Sequence, residues 1–471
     1  MKKRKIIVAL LAVLTAGFVC LSACSQSSAR GVVSIEKTAT NGLIDTYTVY
    51  YTDGTISTFE ITNGQNGQNG QNGQNGTDGV DGADGEDVTI ETVYEQYKKE
   101  YGEISYEDFL SLYLTLENSD YTAIGNCLRS CGKVYTEFSR RGSTSIYTGS
   151  SIIYKIEEEY TYFLTNYHVV YNKDASTKIS QNIHCYLYGS EDKPISDSLN
   201  GYDYGEHAIA CDFVGGSITY DLALLKAKTS DVFAINANVQ EVEFAEEYYV
   251  GQTAIAIGNP EGAGISVTKG IVSVDNEYIT LSDIDGTART YRSIRMDTAL
   301  YGGNSGGGLF DEKGRIIGVC NAGNGTEQNI NYAIPVSIVK GVAENLMYYY
   351  KDGNDETNGV YKATIGVTVV SEKSRYVYNE TLGYGNIMED IVVTAVTSGS
   401  IAEHIGLQAE DRLISMQIDD RVYELNRSFD IADGLLALTA GGEISFVYER
   451  LDERYSTQTY TIKANDVGLI A

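Results

Sequence analysis

The alternation of apolar and polar residues divides the chain into segments of different character. From Val32 to Thr62 the two kinds alternate with a period of two on either side of Thr52-Asp53-Gly54-Thr55. Asp-Gly between two β-rich runs favours a tight hairpin, so residues 24–62 are read as a small β module. Thr92 to Leu116 changes to a helical period, with Tyr94, Tyr97, Tyr101, Phe109, Leu110 and Leu114 as its buried positions. This predicts a pair of helices within 88–118, the second starting near Ser105 with Asp108 three residues on. From Tyr121 to Lys351 short β-rich runs are separated by glycine turns, as in Val250–Gly258, Gly270–Ser273 and Arg315–Val319. That spacing predicts an all-β barrel or sandwich over 119–351, closed by a helix from Pro335 to Tyr350. A further small α/β segment follows from Lys362 to Asn465, within a region taken as 360–467. The expected fold class is therefore mainly β.

Two segments have no core-forming pattern. Lys2 to Lys5 are basic and are followed by a mostly apolar run, Ile6–Val19, too short for a comfortable span of about 20 residues. The run ends in Leu21-Ser22-Ala23-Cys24, which resembles the lipobox of bacterial lipoproteins. Residues 1–23 are thus read as a signal peptide and Cys24 as the acylated residue, and two acyl chains suffice for stable anchoring. The rest of the chain is expected outside the cytoplasm, on the outer face of the membrane. In 63–87, Gly64, Gly67, Gly70, Gly73, Gly76, Gly79, Gly82 and Gly85 recur every third residue. Such a period is compatible with a collagen-like triple helix, in which only glycine fits at the axis. The triplets contain no proline, so a flexible hydrophilic tether explains them as well.

Charge and cysteine usage narrow the function. The 471 residues carry a formal net charge of −29, which repels phosphate backbones, and nucleic acid is excluded as a partner. Cys127, Cys131, Cys185, Cys211 and Cys320 match neither a zinc knuckle nor a disulfide framework and are read as buried thiols. Cys127 and Cys131 would share a face if their stretch were helical. Neither a metal nor a cofactor is called for.

Three strings suggest chemistry. They are Thr165-Asn166-Tyr167-His168-Val169-Val170, Tyr220-Asp221-Leu222-Ala223-Leu224-Leu225, and Asp297-Thr298-Ala299-Leu300-Tyr301-Gly302-Gly303-Asn304-Ser305-Gly306-Gly307-Gly308. A serine hydroxyl is a weak nucleophile until a neighbouring base takes its proton, and a carboxylate must orient that base. An imidazole is suited to the task at neutral pH. A glycine-walled turn lets a substrate carbonyl approach Ser305 and can aim the N–H groups of Gly303 and Ser305 at one oxyanion. Singly, each string could be a turn or a capped strand. Together, in the order His168, Asp221, Ser305 within one β-rich region, they follow the order of chymotrypsin-like double barrels. His184, His207 and His404 match no catalytic motif.

With these strings on the page, the chain resembles HtrA/Deg-type trypsin-like serine proteases from about Ala123 to Asn465. Further matches are Ile257-Gly258-Asn259-Pro260-Glu261-Gly262, Ser266–Ser273 and Asn331-Tyr332-Ala333-Ile334-Pro335. The resemblance implies a double β-barrel protease domain with His168 as base, Asp221 as its orienting partner and Ser305 as nucleophile. It also implies an oxyanion hole from Gly303 and Ser305, an activation-sensitive loop at Leu300–Gly302 and a specificity pocket along Asn321–Asn331. The C-terminal segment resembles a PDZ domain through Thr364-Ile365-Gly366-Val367, Ile391–Glu403 and Gly406–Asp411. There Ile365, Gly366 and Val367 would hold a peptide's terminal carboxylate by strand addition. Thr364 replaces a larger apolar residue, and Glu410 stands where glycine is usual, so a changed turn is expected at Glu410. The implied activity is endoproteolysis of unfolded or damaged secreted proteins, and the implied assembly is a homotrimer. A catalytically silent scaffold or a surface adhesin are the alternatives.

The anchor is directly testable. Cys24→Ala should shift the protein from the detergent phase to the aqueous phase on partitioning, and unchanged membrane retention would rule out the acylated cysteine.

Overall fold

The structure is a computed structural model that describes residues 32–62 and 120–470, with seven residues between 94 and 109; positions 42–43, 52–53, 191, 198–200, 283, 324–328 and 381–382 are left out. The expected signal peptide, Cys24 and the glycine repeat of 63–87 lie outside the described residues. The chain forms two compact units, Met1–Glu117 and Asn118–Ala471.

In the first unit, β1 (Val32–Asn41), β2 (Ile44–Tyr51) and β3 (Ile56–Thr62) form an antiparallel sheet in that order. Gly54 lies between β2 and β3, and the alternating run before it is divided into two strands, β1 and β2. The seven described residues between 94 and 109 are helical. Phe109 is buried there between Tyr94 and Tyr97, with ring centroids 5.1 and 5.4 Å away.

The second unit begins with a helix, Asp120–Leu128. Then follow β4 (Cys131–Arg140), β5 (Ser143–Ile156), β6 (Tyr160–Thr165), β7 (Asn182–Leu187), a short hairpin of β8 (Ile195–Asp197) and β9 (Gly201–Asp203), β10 (Ile209–Ser217) and β11 (Leu222–Lys228). The order β10-β11-β6-β5-β4-β7 closes into a barrel. A second sheet contains β12 (Glu243–Phe244), β13 (Thr253–Gly258), β14 (Ser266–Ser282), β15 (Ala288–Met296), β16 (Gly308–Phe310), β17 (Arg315–Gly323) and β18 (Asn331–Pro335). Its order is β12-β17-β16-β13-β14-β15-β18, and pairing of β17 with β18 closes six of these strands into a second barrel. The closing helix is Val336–Tyr349, with Pro335 as its N-cap. Cys131 begins β4 and so does not share a helix face with Cys127, because the helix stops at Leu128.

The period of two assigns neighbouring residues to different cores. Ile153, Phe163, Ala223 and Leu225 fill the first barrel, whereas Ala254, Ala256, Ile317 and Cys320 fill the second. Their sequence neighbours Ile152, Leu164, Leu222, Leu224, Ile255, Ile257, Ile316 and Val319 point into a third core between the barrels, completed by Val339, Val342 and Leu346 of the closing helix. This explains why β11 is buried at six consecutive positions, Leu222 to Ala227, with no polar face to water. The five described cysteines follow the same division: Cys127 and Cys131 lie in the inter-barrel core, Cys185 and Cys211 in the first barrel, and Cys320 in the second. All are free thiols. Burial pushes Cys320 up to about 12, and it raises Cys131 as well.

The C-terminal lobe comprises β19 (Val360–Ala363), β20 (Val367–Asn379), β21 (Tyr384–Val396), β22 (Arg412–Ile418), β23 (Arg421–Glu424), β24 (Glu443–Arg450), β25 (Glu453–Ser456), β26 (Tyr460–Thr461) and β27 (Val467–Ile470), with helices Ile401–His404 and Ser428–Gly434. The main sheet runs β20-β21-β22-β24-β25, and β19 pairs with β27. Glu410 corrects the expectation of a changed turn: it carries φ +73, so the left-handed conformation is kept without glycine. The lobe meets the closing helix at Gly341, where a Cβ would stand 2.7 Å from Leu436 Cβ. The buried Asn345 secures that contact: its Nδ2 donates to the carbonyls of Leu436 and Tyr361, each at 2.8 Å, and its Oδ1 accepts from Tyr361 N–H at 2.9 Å.

Truncating the inter-barrel core should be costly. Leu224→Ala should lower unfolding stability by about 2–5 kcal/mol, read as a reduced denaturant midpoint. Tyr378→Ala, on the exposed β20–β21 hairpin, should change it by less than about 0.5 kcal/mol.

Candidate active site

Three strand ends deliver the three residues to one edge of the inter-barrel core. β6 ends at Thr165, and a single helical turn, Tyr167–Val170, carries His168. Asp221 immediately precedes β11, and Ser305 lies in the loop between β15 and β16.

Asp221 is buried, and its carboxylate accepts twice from the same residue: from His168 N–H at 2.9 Å and from His168 Nδ1 at 2.7 Å. An ionised carboxylate only accepts, so this contact places the imidazole proton on Nδ1 and leaves Nε2 with its lone pair. Asp221 itself has φ +50, a left-handed conformation that costs a non-glycine residue about 1–2 kcal/mol. Buried Asn166 holds that conformation by donating from Nδ2 to the Asp221 carbonyl at 2.7 Å.

Ser305 is brought against the His168 turn through its neighbours. Ser150 N–H donates to the Ser305 carbonyl at 2.8 Å, and Ser150 Oγ donates to the Gly303 carbonyl at 2.7 Å. At Gly149 a Cβ would stand 2.7 Å from Val169 and 3.2 Å from the Ser305 carbonyl, so this strand position admits only glycine between base and nucleophile. The Ser305 hydroxyl, however, donates to the Asn321 carbonyl at 3.3 Å and makes no hydrogen bond to the imidazole. Hydrogen bonds between nucleophile and base often tighten only with substrate.

The backbone around Ser305 is set by its carbonyls. Gly302 O accepts from Glu261 N–H at 2.6 Å, and Asn304 O accepts from Gly307 N–H at 2.9 Å. In a trans peptide the following N–H points the opposite way. The amides of Gly303 and Ser305 are therefore directed away from these two acceptors, and neither donates to another described residue. Gly303 has φ +100, and a Cβ there would stand 2.3 Å from the Asn259 carbonyl. Asn259, fully buried, is anchored by Thr148 Oγ1 at 2.9 Å.

Sequence reasoning found His168, Asp221, Gly303 and Ser305 but assigned no role to Ser150, Asn166, Asn259 or Glu261. Asn166, Asn259 and Glu261 lie within the recognised motifs, and for Asn166 an amide beside a histidine was the available signal; Ser150 had none. Of the expected specificity pocket Asn321–Asn331, positions 324–328 lie outside the described residues. His207 pairs with Asp192 at 2.7 Å on the surface, and His184 stacks on Tyr204, so neither joins the site.

The trypsin-like peptidase family description matches residues 149–319. Those residues form a trypsin-like peptidase domain, and its homologues are HtrA/Do-like serine proteases. The chain is 31% identical over 278 residues to the serine protease Do-like HtrA of Bacillus subtilis, covering 57% of this chain and 54% of that relative. It is thus matched over about half of that protein's length. It is 25% identical over 314 residues to the Do-like HtrA of Lactococcus lactis subsp. cremoris, covering 64% and 67%. The HtrA-type protease AlgW with a tripeptide aligns over 73% of this chain and 97% of its own, with 25% identity and a TM-score of 0.43.

The peptidase domain makes a specific demand at Gly303. Gly303→Ala should slow labelling by a fluorophosphonate by roughly 10²–10³-fold, the loss expected for one oxyanion donor, with an unchanged far-ultraviolet circular dichroism spectrum.

Proposed function

We propose that this protein is an HtrA-like serine endopeptidase that cleaves unfolded or damaged secreted proteins at the outer face of the membrane, held there by lipid on Cys24. The observation that carries the reading is the buried Asp221 carboxylate on His168 Nδ1, 2.7 Å away, beside a serine in a glycine-walled turn. In this reading His168 Nε2 takes the Ser305 proton as Oγ attacks the scissile carbonyl carbon. The electron pair of the carbonyl moves to oxygen, facing the Gly303 and Ser305 amides. The imidazolium, stabilised by Asp221, returns the proton to the leaving amine, and water reverses the sequence to release the acid. No cofactor enters these steps.

Peptide C-termini are the proposed ligands of the C-terminal lobe. β20 is an edge strand, pairing only with β21 among the described residues, which leaves its other side for a peptide strand. Gly366, at φ +75, turns the chain into that edge, and Ile365 is buried, so its part is through the backbone. Val367 begins β20. The homotrimer stays part of this proposal by resemblance alone.

The Ser305–Asn321 hydrogen bond favours a second reading, a silent scaffold with the nucleophile turned away. Casein hydrolysis decides between them. Wild-type protein should degrade casein, and Ser305→Ala should abolish this with the fold intact. His168→Ala should do nearly as much damage, because triad losses do not add. Degradation by Ser305→Ala at the wild-type rate, in a preparation free of host proteases, would overturn the proposal.

A further inference from the structure

The Ile218–Asp221 turn that presents the acid is held from outside the first barrel. Asp221 N–H and Tyr291 Oη both donate to the Ile218 carbonyl, at 3.3 and 3.2 Å. Tyr291 belongs to β15 of the second barrel and is buried. One residue before Asp221, Tyr220 Oη accepts from Lys362 Nζ at 3.3 Å, and Lys362 belongs to β19 of the C-terminal lobe.

These two supports share an anchor. Arg292, next to Tyr291, pairs with Asp433 of the lobe, and Ser337 Oγ donates to the same carboxylate at 2.6 Å. The Phe429 ring covers the Arg292 guanidinium at 4.1 Å. Burial lowers the Lys362 pKa, and the Asp433 charge opposes that shift. Tyr220, Tyr291, Arg292, Phe429 and Asp433 surround a cavity of about 270 Å³, so the turn is not packed solidly on this side. Beside it, the Tyr291–Ile218 and Lys362–Tyr220 hydrogen bonds reach the turn.

We propose that Tyr291 and Lys362 are positioning residues for Asp221, and that the docked C-terminal lobe, through Lys362 and Tyr220, keeps the acid in register with His168. This rests on the peptidase reading above. Asp221 occupies a conformation that the backbone resists, and it persists only where its surroundings over-determine it. Loss of a contact one residue away lets the turn relax, and the carboxylate drifts from Nδ1. These residues act on the turn that carries Asp221, so the effect falls on the rate of acylation.

The test uses the full chain and a fluorophosphonate probe, with saturation kinetics separating maximal acylation rate from half-saturating concentration. Tyr291→Phe and Tyr220→Phe, which keep their rings, and Lys362→Met should each lower the maximal rate about tenfold, part of the roughly 10² that a 1 Å misplacement costs. Half-saturation should stay as in wild type, and Lys362→Arg should recover most of the rate. The proton resonance of His168 Nδ1–H should move upfield in Tyr220→Phe and Lys362→Met and keep its wild-type position in Lys362→Arg. Wild-type maximal rates and an unmoved resonance in Tyr291→Phe, Tyr220→Phe and Lys362→Met would overturn the proposal. A wild-type protein that the probe does not label would instead overturn the peptidase reading beneath it.

Discussion

Apolar residues at alternate strand positions must serve two cores at once, and the whole peptidase region depends on that constraint. Leu224 faces the seam between the barrels while Leu225, its neighbour, faces the inside of one. A shift of one residue in the pairing of β11 with β6 would exchange these roles and expel both sets from their cores. The same registration fixes where β6, β11 and β16 stop or start, and the three reactive side chains are attached at those ends. The position of the site is therefore a by-product of strand packing, and only its fine geometry is left to polar contacts.

Those polar contacts are few and specific. Ser150 holds two carbonyls of the nucleophile turn, and Asn166 holds the carbonyl of Asp221. Each is buried and fully or nearly excluded from water, so the loss of either leaves an unpaired group where none can be solvated.

The sequence made the reactive residues legible because their chemistry is written in local strings. His168, Asp221 and Ser305 each sit in a recognisable run, and the turn glycines around Ser305 announce close backbone approach. The two barrels were legible as many short strands, but not the division of their side chains into three cores. That division depends on which strands pair at long range, and Ile152 and Ile153 look identical in sequence although they face different cores. The contributions of Ser150, Tyr291 and Lys362 were illegible for the same reason. Each acts on a turn more than 70 positions away or on a different barrel, and nothing in its own neighbourhood marks it. At Glu410 the residue type misled: a side chain there predicts a changed turn, yet surrounding contacts hold it at φ +73. Local preference of about 1 kcal/mol yields readily to tertiary packing.

The distribution of thiols has a practical consequence. Only a thiolate attacks an alkylating reagent; burial keeps Cys131 and Cys320 in the neutral form, and a hydrogen bond with Cys185 together with burial does the same for Cys211. Modification must then wait for the surrounding structure to open. Because the cysteines are shared among the inter-barrel seam and the two barrel interiors, with none in the C-terminal lobe's core, the position that reacts first names the part that opened. The molecule thus carries its own set of reporters for sub-global unfolding, one for each core of the peptidase region.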